Sequence, residues 1–407
     1  MRSSEKQYTF QTIIEQGSQI REFVESQMRH AAVKMVYELF NQEVESICGN
    51  RFSRKVEGQC HRGGSDPGSV LIHGQRVSVK KPRVKKSGSD INLETYEALQ
   101  NYDLLCDRVM GHMLGGVSTR NYDPLLDDIA GGTGLSKSSV SEAFVRASKG
   151  ALDSLNSRDL KPFNFPCIMI DGIGFGDRTV VAAMGIKDVA EKMILGLREG
   201  NTENWELCRD LLESLIARGL HAESKILFVI DGSRALRKAI KKVFGTRAII
   251  QRCVRHKERN VIKYLPKERH TEFRRRWKEL HATSDIFVAR RHYDELVHWL
   301  GHINHAALQS LEEAEQETMT ILKMNLPPTL KKTLLSTNPL ESAFSIVKPK
   351  IVRVKNWRSG PDQIARWAAT TLLDAETKFR KIRGFIHIHR LVEELKKFDV
   401  ENQMEVA

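Results

Sequence analysis

Two apolar runs of the same shape constrain the fold of this chain more than any other feature. Cys167-Ile-Met-Ile-Asp171 and Ile226-Leu-Phe-Val-Ile-Asp231 each end in an aspartate, and glycine follows both. Short apolar runs bounded by turn residues read as strands. Two further runs, Thr179-Val-Val-Ala-Ala-Met-Gly-Ile and Lys192-Met-Ile-Leu-Gly-Leu-Arg, read the same way. From Thr202 to Leu220 the apolar residues Trp205, Leu207, Leu211, Leu212, Leu215 and Ile216 recur at helical spacing. That predicts an amphipathic helix starting at Thr202 and closed by Gly219. A helix from Ala235 to Phe244 and a strand Arg247-Ala-Ile-Ile-Gln come next. The element order is three strands, helix, strand, helix, strand.

That order, with Asp171 and Asp231 closing the first and fourth strands, is the layout of a ribonuclease H-like mixed sheet, in which those two strands lie side by side. Ligands of open α/β sheets sit outside the carboxyl ends of strands. A third acid is offered by Ser336-Thr-Asn-Pro-Leu-Glu341, where Asn338-Pro339 opens a helix with Glu341 in its first turn. Two Asp and a Glu suit a two-magnesium phosphoryl-transfer site. Hard divalent cations choose oxygen ligands, and two ions about 4 Å apart activate the attacking oxygen and stabilise the leaving one. Asp177, beside Gly176, reads as a turn residue. Cys253-Val-Arg-His256 is half of a zinc motif with no second half in the sequence, so bound metal is not expected there. Its residues read either as packed and capping or as support for the active site, with His256 near the scissile phosphate.

The formal net charge of +13 and pI near 9.4 point to an extended polyanion as partner. Helical spacing covers residues 1–48, with Ile20, Phe23, Val24, Met28, Val33, Val36, Tyr37 and Phe40 as its apolar positions. Between Arg51 and Lys86 ten Lys or Arg face two acids, and the sequence reads as a basic hairpin of two short strands about His73-Gly74-Gln75. Such a ribbon suits a DNA groove or backbone, and equally a sheet edge guarded by lysine. Tyr122, Leu125, Leu126 and Ile129 form a helical face, Gly131-Gly-Thr-Gly a turn, and Ser136 an N-cap for a helix through Val140, Phe144 and Val145. This reads as a helix-turn-helix, for which a plain helical hairpin is the alternative. Residues 266–332 read as purely helical, an insertion with an acidic face at Glu312, Glu313, Glu315 and Glu317 and Pro327-Pro328 at its end. A last helix spans about 361–382, and the tail reads as helical and peripheral. Cysteines 48, 60, 106, 167, 208 and 253 are scattered, and neither a signal peptide nor a membrane span is legible. The expectation is a cytoplasmic protein with reduced thiols, nucleoid-associated when bound to DNA, and with no membrane partner.

Several blocks together resemble the Mutator-like transposases of bacterial insertion sequences. They are Asp171-Gly, Asp231-Gly-Ser-Arg-Ala-Leu, Gln251-Arg-Cys-Val-Arg-His-Lys-Glu-Arg-Asn-Val and Thr337-Asn-Pro-Leu-Glu-Ser. Val117-Ser-Thr-Arg-Asn-Tyr and Leu135-Ser-Lys-Ser-Ser-Val-Ser extend the likeness, which covers about residues 50–385. The resemblance implies an Asp-Asp-Glu triad of Asp171, Asp231 and Glu341 on a ribonuclease H-like fold with a helical insertion before the Glu. It also implies magnesium or manganese as cofactor, cleavage at terminal inverted repeats, and transfer of a 3′-hydroxyl into double-stranded target DNA. Cys253 and His256 are a mark of the group. Many members have Arg and Asn after the Glu where this chain has Ser342-Ala343, which bears on local DNA contacts rather than on the metal role.

The expected layout is a helical and hairpin region (1–115), a helix-turn-helix-like segment (116–160), a catalytic domain in two parts (161–265 and 333–383), the insertion (266–332) and a tail (384–407). Candidate DNA contacts are Lys80, Lys81, Arg83, Ser136, Lys137, Ser138, Arg252, Arg255, Lys257, Arg259, Lys348, Lys350 and Arg353. The last seven fall in stretches 252–276 and 348–383, each with ten Lys or Arg against three acids. By analogy with enzymes that pair two DNA ends, a dimer or larger assembly is expected. A nuclease of the same fold and a DNA-binding protein without catalysis are the alternatives.

Overall fold

The computed structural model describes residues 10–50, 60–72, 75–86, 88–101, 110–111, 137–175, 178–201, 204–351 and 362–404. The chain divides into two compact units, Met1–Met113 with Thr119–Ala147, and Leu114–Ser118 with Ser148–Ala407.

In the first unit a long helix α1 (Phe10–Cys48) precedes the hairpin strands β1 (His61–Ile72) and β2 (Gln75–Lys86), the short strand β3 (Ser89–Ile91) and helix α2 (Glu94–Asn101). Val36, Phe40 and Val44, four residues apart on α1, bury against Val70, Val79, Val84 and Leu93. The Glu43 carboxylate accepts hydrogen bonds from the amides of Glu94 (2.6 Å) and Thr95 (3.1 Å), which caps α2 from another element. The strands are longer than the short pair expected from sequence. Gly63-Gly64-Ser65-Asp66-Pro67-Gly68, which has the composition of a turn, lies inside β1, and the register shift between Arg62 and Ser65 absorbs the glycines. Helix α3 (Lys137–Ser157) comes next, and the division between the units falls within it. The first helix, turn and N-cap of the expected helix-turn-helix, with Ser136, lie outside the described residues. Lys137 and Ser138 open α3.

The second unit is built on a mixed five-stranded sheet. Its elements are β4 (Cys167–Phe175), β5 (Arg178–Ile186), β6 (Lys192–Gly200), α4 (Trp205–Ala217), β7 (Ile226–Ile230), α5 (Arg234–Phe244) and β8 (Ala248–Arg252). The strand order is β6-β5-β4-β7-β8. The first three strands pair antiparallel, whereas β7 runs parallel to β4 and β8 parallel to β7. Helix α4 starts later than the sequence suggests, because the Asn204 side chain caps it through the Leu207 amide (2.8 Å).

Side chains alternate across the sheet. Ile168 and Ile170 of β4, with Phe228 and Ile230 of β7, pack with Leu211, Leu212, Leu215, Leu236, Ile240 and Phe244 of α4 and α5. Cys167 and Met169, with Leu227 and Val229, point to the other face. There they meet α12 (Asn338–Ile351) through Leu340, Ala343, Phe344 and Val347, and α13 (Gln363–Glu376) through Ile364, Ala368, Ala369 and Leu372. Asp171 and Asp231 continue the second series, so the period of two places both on the face that carries α12. Helix α14 (Ile388–Met404) also joins this face, with Leu391 and Leu395 buried. The tail is therefore part of the core rather than peripheral, because its apolar positions at four-residue spacing need a partner.

Between β8 and α12 the described chain is helical. It comprises α6 (Val254–Ile262), α7 (His270–Ala282), α8 (Ile286–Gly301), α9 (His305–Glu312), α10 (Glu315–Thr318) and α11 (Pro328–Leu334). Phe273, Trp277, Leu280, Tyr293, Leu296 and Leu300 give it a core of its own. Among the described residues no helix is long and apolar enough to cross a membrane.

His281 is half-buried in this helical region, its ring edge-on to Trp277 with centroids 4.4 Å apart and its Nδ1 2.9 Å from the Trp277 carbonyl. Burial holds its pKa down at about 4, against hydrogen bonds that favour the charged form. The unfolded chain therefore takes up this proton near pH 6.5, and the folded chain does so only near pH 4. Stability is complete above pH 6.5 and falls as the pH drops toward 4, with this one group accounting for about 3 kcal/mol over the window. Urea unfolding at pH 7.5 and at pH 5 should show the loss, and His281→Gln should remove this part of it.

Candidate active site

The three acids arrive on three elements. Asp171 lies within β4, one residue beyond the last parallel pair with β7, Ile170↔Ile230. Asp231 lies one residue beyond the same pair. The sequence pattern ends the first strand at Asp171, whereas β4 runs on to Phe175 because its antiparallel partner β5 continues to Arg178. The parallel ladder still ends where the acids begin. The Asp171 carboxylate accepts from the Gly172 amide (2.8 Å), and that of Asp231 from the Ser233 amide (2.9 Å). Burial pushes the Asp171 carboxyl up to about 6; the charge of Asp231 adds to this, while His256, Thr337 and the Gly172 amide pull it back. The two aspartates thus feel each other, with the His256 charge as the counterweight.

Glu341 comes from the first turn of α12. Thr337, four residues earlier, places its Oγ1 3.2 Å from Glu341 Oε1. The Nε2 of His256 lies 3.5 Å from the same oxygen, and an Arg259 amino nitrogen lies 3.7 Å from Oε2. Cys253 joins the pieces. Its amide donates to the Ile230 carbonyl at the end of β7 (2.7 Å), and its Sγ lies 3.5 Å from both the amide and the hydroxyl of Thr337. One buried residue therefore ties the strand end before Asp231 to the helix start before Glu341. Burial alone raises the Cys253 thiol, but His256 and Thr337 outweigh it and hold it below the ordinary value. The sulfur beside it, with the charges of Asp171 and Glu341, pushes the His256 imidazole up to about 9 against its own burial. The sequence left Cys253 and His256 between packing and support; the structure sets them against the acids.

The cations divide into two groups. Arg252 and Lys257, expected among the phosphate contacts, have side chains only 3% and 2% exposed. Arg252 Nε pairs with Glu317 (3.1 Å), and its Nη1 donates to the Asp231 carbonyl (3.2 Å). Lys257 Nζ donates to the Ser310 carbonyl (2.6 Å) and pairs with Glu313 (3.4 Å). These two side chains hold the insertion against the sheet, because buried charges need partners. Part of the acidic face read in the insertion supplies those partners. Arg255 and Arg259 keep side chains 57% and 60% exposed next to the site. Lys348 is exposed and Lys350 pairs with Asp374 (2.5 Å), while Arg353 lies outside the described residues. In the hairpin Lys80 is exposed, Lys81 sits over the Tyr96 ring (4.7 Å), and Arg83 pairs with Asp66 (3.3 Å) and Asp90 (2.8 Å).

Sequence reasoning assigned no role to Gln251. It is fully buried, donating to the carbonyls of Arg252 (2.7 Å) and Thr318 (3.0 Å) and accepting from the Ile321 amide (2.9 Å). Its place in the Gln-Arg-Cys block was the available signal. Between the start of α6, α7 and the approach to α12 a cleft of about 670 Å³ is lined by Arg255, Glu258, Arg274, Lys278, Lys332 and Asn338, among others.

Removing Arg252 empties a buried position, leaves the Asp231 carbonyl without this donor and leaves Glu317 with only the more exposed Arg237 and Lys241. Arg252→Ala should cost about 3–5 kcal/mol in denaturant unfolding, and Arg255→Ala, at an exposed position, less than about 0.5 kcal/mol. Equal effects would refute the division of the cations.

The comparisons with known proteins agree with one another. A family described as "Transposase, Mutator family" matches residues 4–381. The transposase for insertion sequence element IS256 in transposon Tn4001 of Staphylococcus aureus is 27% identical over 271 residues, 63% of this chain and 67% of the relative. That for IS6120 of Mycolicibacterium smegmatis is 27% identical over 242 residues, 58% of this chain and 73% of the relative. That for IS1201 of Lactobacillus helveticus is 24% identical over 265 residues, 62% and 68% of the two chains. With the match running through all three acids and the Cys-x-x-His turn, the chain belongs to the Mutator family of transposases.

Proposed function

We propose that this chain is a DNA transposase of the Asp-Asp-Glu type. It would cleave at the terminal inverted repeats of an insertion sequence and join the freed 3′-hydroxyl to target DNA. The observation that carries the reading is the convergence of Asp171 and Asp231 on the sheet face covered by the Glu341 helix. Strand order and direction support assigning the sheet to the ribonuclease H-like class. The relatives' names supply the reaction class.

The residues fit hard divalent cations. Two aspartates share the sheet face that the Glu341 helix covers, and the buried Asp171 carboxyl, held at about 6 with the charge of Asp231 contributing, would be relieved by a cation. Asp171, Asp231 and Glu341 would hold two magnesium or manganese ions, which when bound activate the attacking oxygen and stabilise the leaving one. Asp171 and Asp231 are oriented by the Gly172 and Ser233 amides. Thr337 and His256 both hold the same Glu341 oxygen, Oε1. Water serves as nucleophile in cleavage and the DNA 3′-hydroxyl in joining. Arg255 and Arg259, with Arg274, Lys278 and Lys332 in the adjacent cleft, supply positive charge for backbone phosphates. The DNA partner, a cytoplasmic location, and an assembly of two or more chains that brings two ends together belong to the same proposal.

Strand cleavage and joining with manganese, on DNA carrying the sequences that flank the gene, tests the reading. Wild-type protein should give joined products and Asp231→Asn none, while DNA binding survives in the variant. Binding should weaken steeply with salt, about 10³-fold or more between 50 and 200 mM for six or more phosphate contacts. Cleavage without joining would assign the chain to the nucleases instead. Binding without chemistry in the wild type would leave a DNA-binding protein.

A further inference from the structure

We propose that Cys253, His256 and Glu341 form a second metal site, one that takes zinc or a similarly thiophilic divalent ion and withdraws Glu341 from the magnesium-binding triad. The site itself stands on geometry. Its effect on cleavage rests on the function proposed above.

Among the described residues one group of metal-ligating side chains converges: the Cys253 sulfur, a His256 ring nitrogen and a Glu341 carboxylate oxygen all lie within 4.8 Å of one another. A tetrahedral zinc ion holds such atoms about 3.5 Å apart, so modest rotation of the partly exposed Glu341 closes the shell and water fills the fourth position. Sulfur with nitrogen selects zinc over magnesium, which prefers oxygen throughout. The sequence offered only half of a zinc motif, and folding brings Glu341 to it as a third donor.

The surroundings suit a metal thiolate. Cys253 is the N-cap of the nine-residue helix α6, whose N-terminal dipole favours an anionic sulfur. The Thr337 amide already points at that sulfur from 3.5 Å, an outer-shell hydrogen bond that orients a ligating thiolate. His256 Nδ1 is buried and makes no hydrogen bond, although buried ring nitrogens ordinarily have a partner. His256 stands one helical turn after Cys253, so both donors sit on a rigid first turn. Binding takes Cys253 as thiolate and His256 as neutral imidazole, and the protons they give up pass to solvent. Glu341 cannot serve both sites at once, so zinc and the catalytic cations exclude each other.

X-ray absorption of the full chain, reduced and loaded with zinc, tests the site. The expected result is one ion per chain with one sulfur at about 2.3 Å and nitrogen or oxygen at about 2.0–2.2 Å. Two or more sulfurs per ion, or none, would overturn the assignment. Cobalt as probe should give a near-ultraviolet thiolate band that Cys60→Ser retains and Cys253→Ser loses, with folding of both checked by circular dichroism. A band that persists in folded Cys253→Ser would also overturn it. If Cys253→Ser does not fold, the wild-type absorption spectrum decides alone. Magnesium-supported cleavage should fall about tenfold or more once the zinc site is filled and return on chelation. Undiminished cleavage with zinc bound would overturn the competition. A sulfur-containing shell in a protein that never cleaves DNA would support the zinc site and sink the transposase reading separately.

Discussion

The parallel pairing of β4 with β7 is the constraint on which the rest of the second unit depends. Its four pairs, from Cys167↔Leu227 to Ile170↔Ile230, fix both the spacing and the facing of Asp171 and Asp231 just beyond them. Because side chains alternate along a strand, a register that sets Ile170 beside Ile230 sets the next residue of each chain on the opposite face. A slip of one residue would turn one aspartate toward α4 and α5, among Leu212, Leu236 and Phe244, where a carboxylate has no partner. The apolar contacts of Phe228 and Ile230 therefore protect the placement of the two acids indirectly, by making every other register expensive.

The third acid depends on a different kind of link. Glu341 is separated from the sheet by the whole helical region, and only local ties settle where its helix begins. Cys253 bonds to the last residue of β7 through its amide and to Thr337 through its sulfur, while the Val254 amide donates to the Leu335 carbonyl (3.0 Å). Each bond is modest, about 1 kcal/mol net. Their value lies in geometry, since they act on consecutive residues and leave α12 little freedom to slide.

The sequence made legible the features that depend on neighbours along the chain. Runs of Ile, Leu and Val showed the strands, and Asn-Pro before Glu341 showed a helix start. The features it hid depend on distant partners. Asp171 looked like a strand end because Gly172 and Gly174 interrupt the apolar run, yet pairing with β5 carries the strand past them. Gly63 to Gly68 looked like a turn, yet a bulge keeps them in β1. Arg252 and Lys257 sit among cations and looked like phosphate contacts. Their partners Glu317 and Glu313 lie more than fifty positions away, and no local pattern announces such a pairing. The tail looked peripheral for the same reason, since its apolar stripe is covered by elements read far earlier.

Gln251 and Arg252 have a consequence for how the protein is made. Both belong to β8, yet several of their buried hydrogen bonds are made with atoms between Glu317 and Ile321. A chain emerging from the ribosome has all five strands once residue 252 is out, but that sheet ends in an amide and a guanidinium that must stay hydrated. The edge strand can dock fully only after some seventy more residues have been synthesised. Glu341 emerges twenty residues later. Vectorial synthesis thus delays the joining of the three acids until Glu341 and its helix have been made, and a product terminated before residue 321 lacks both the support and the third acid.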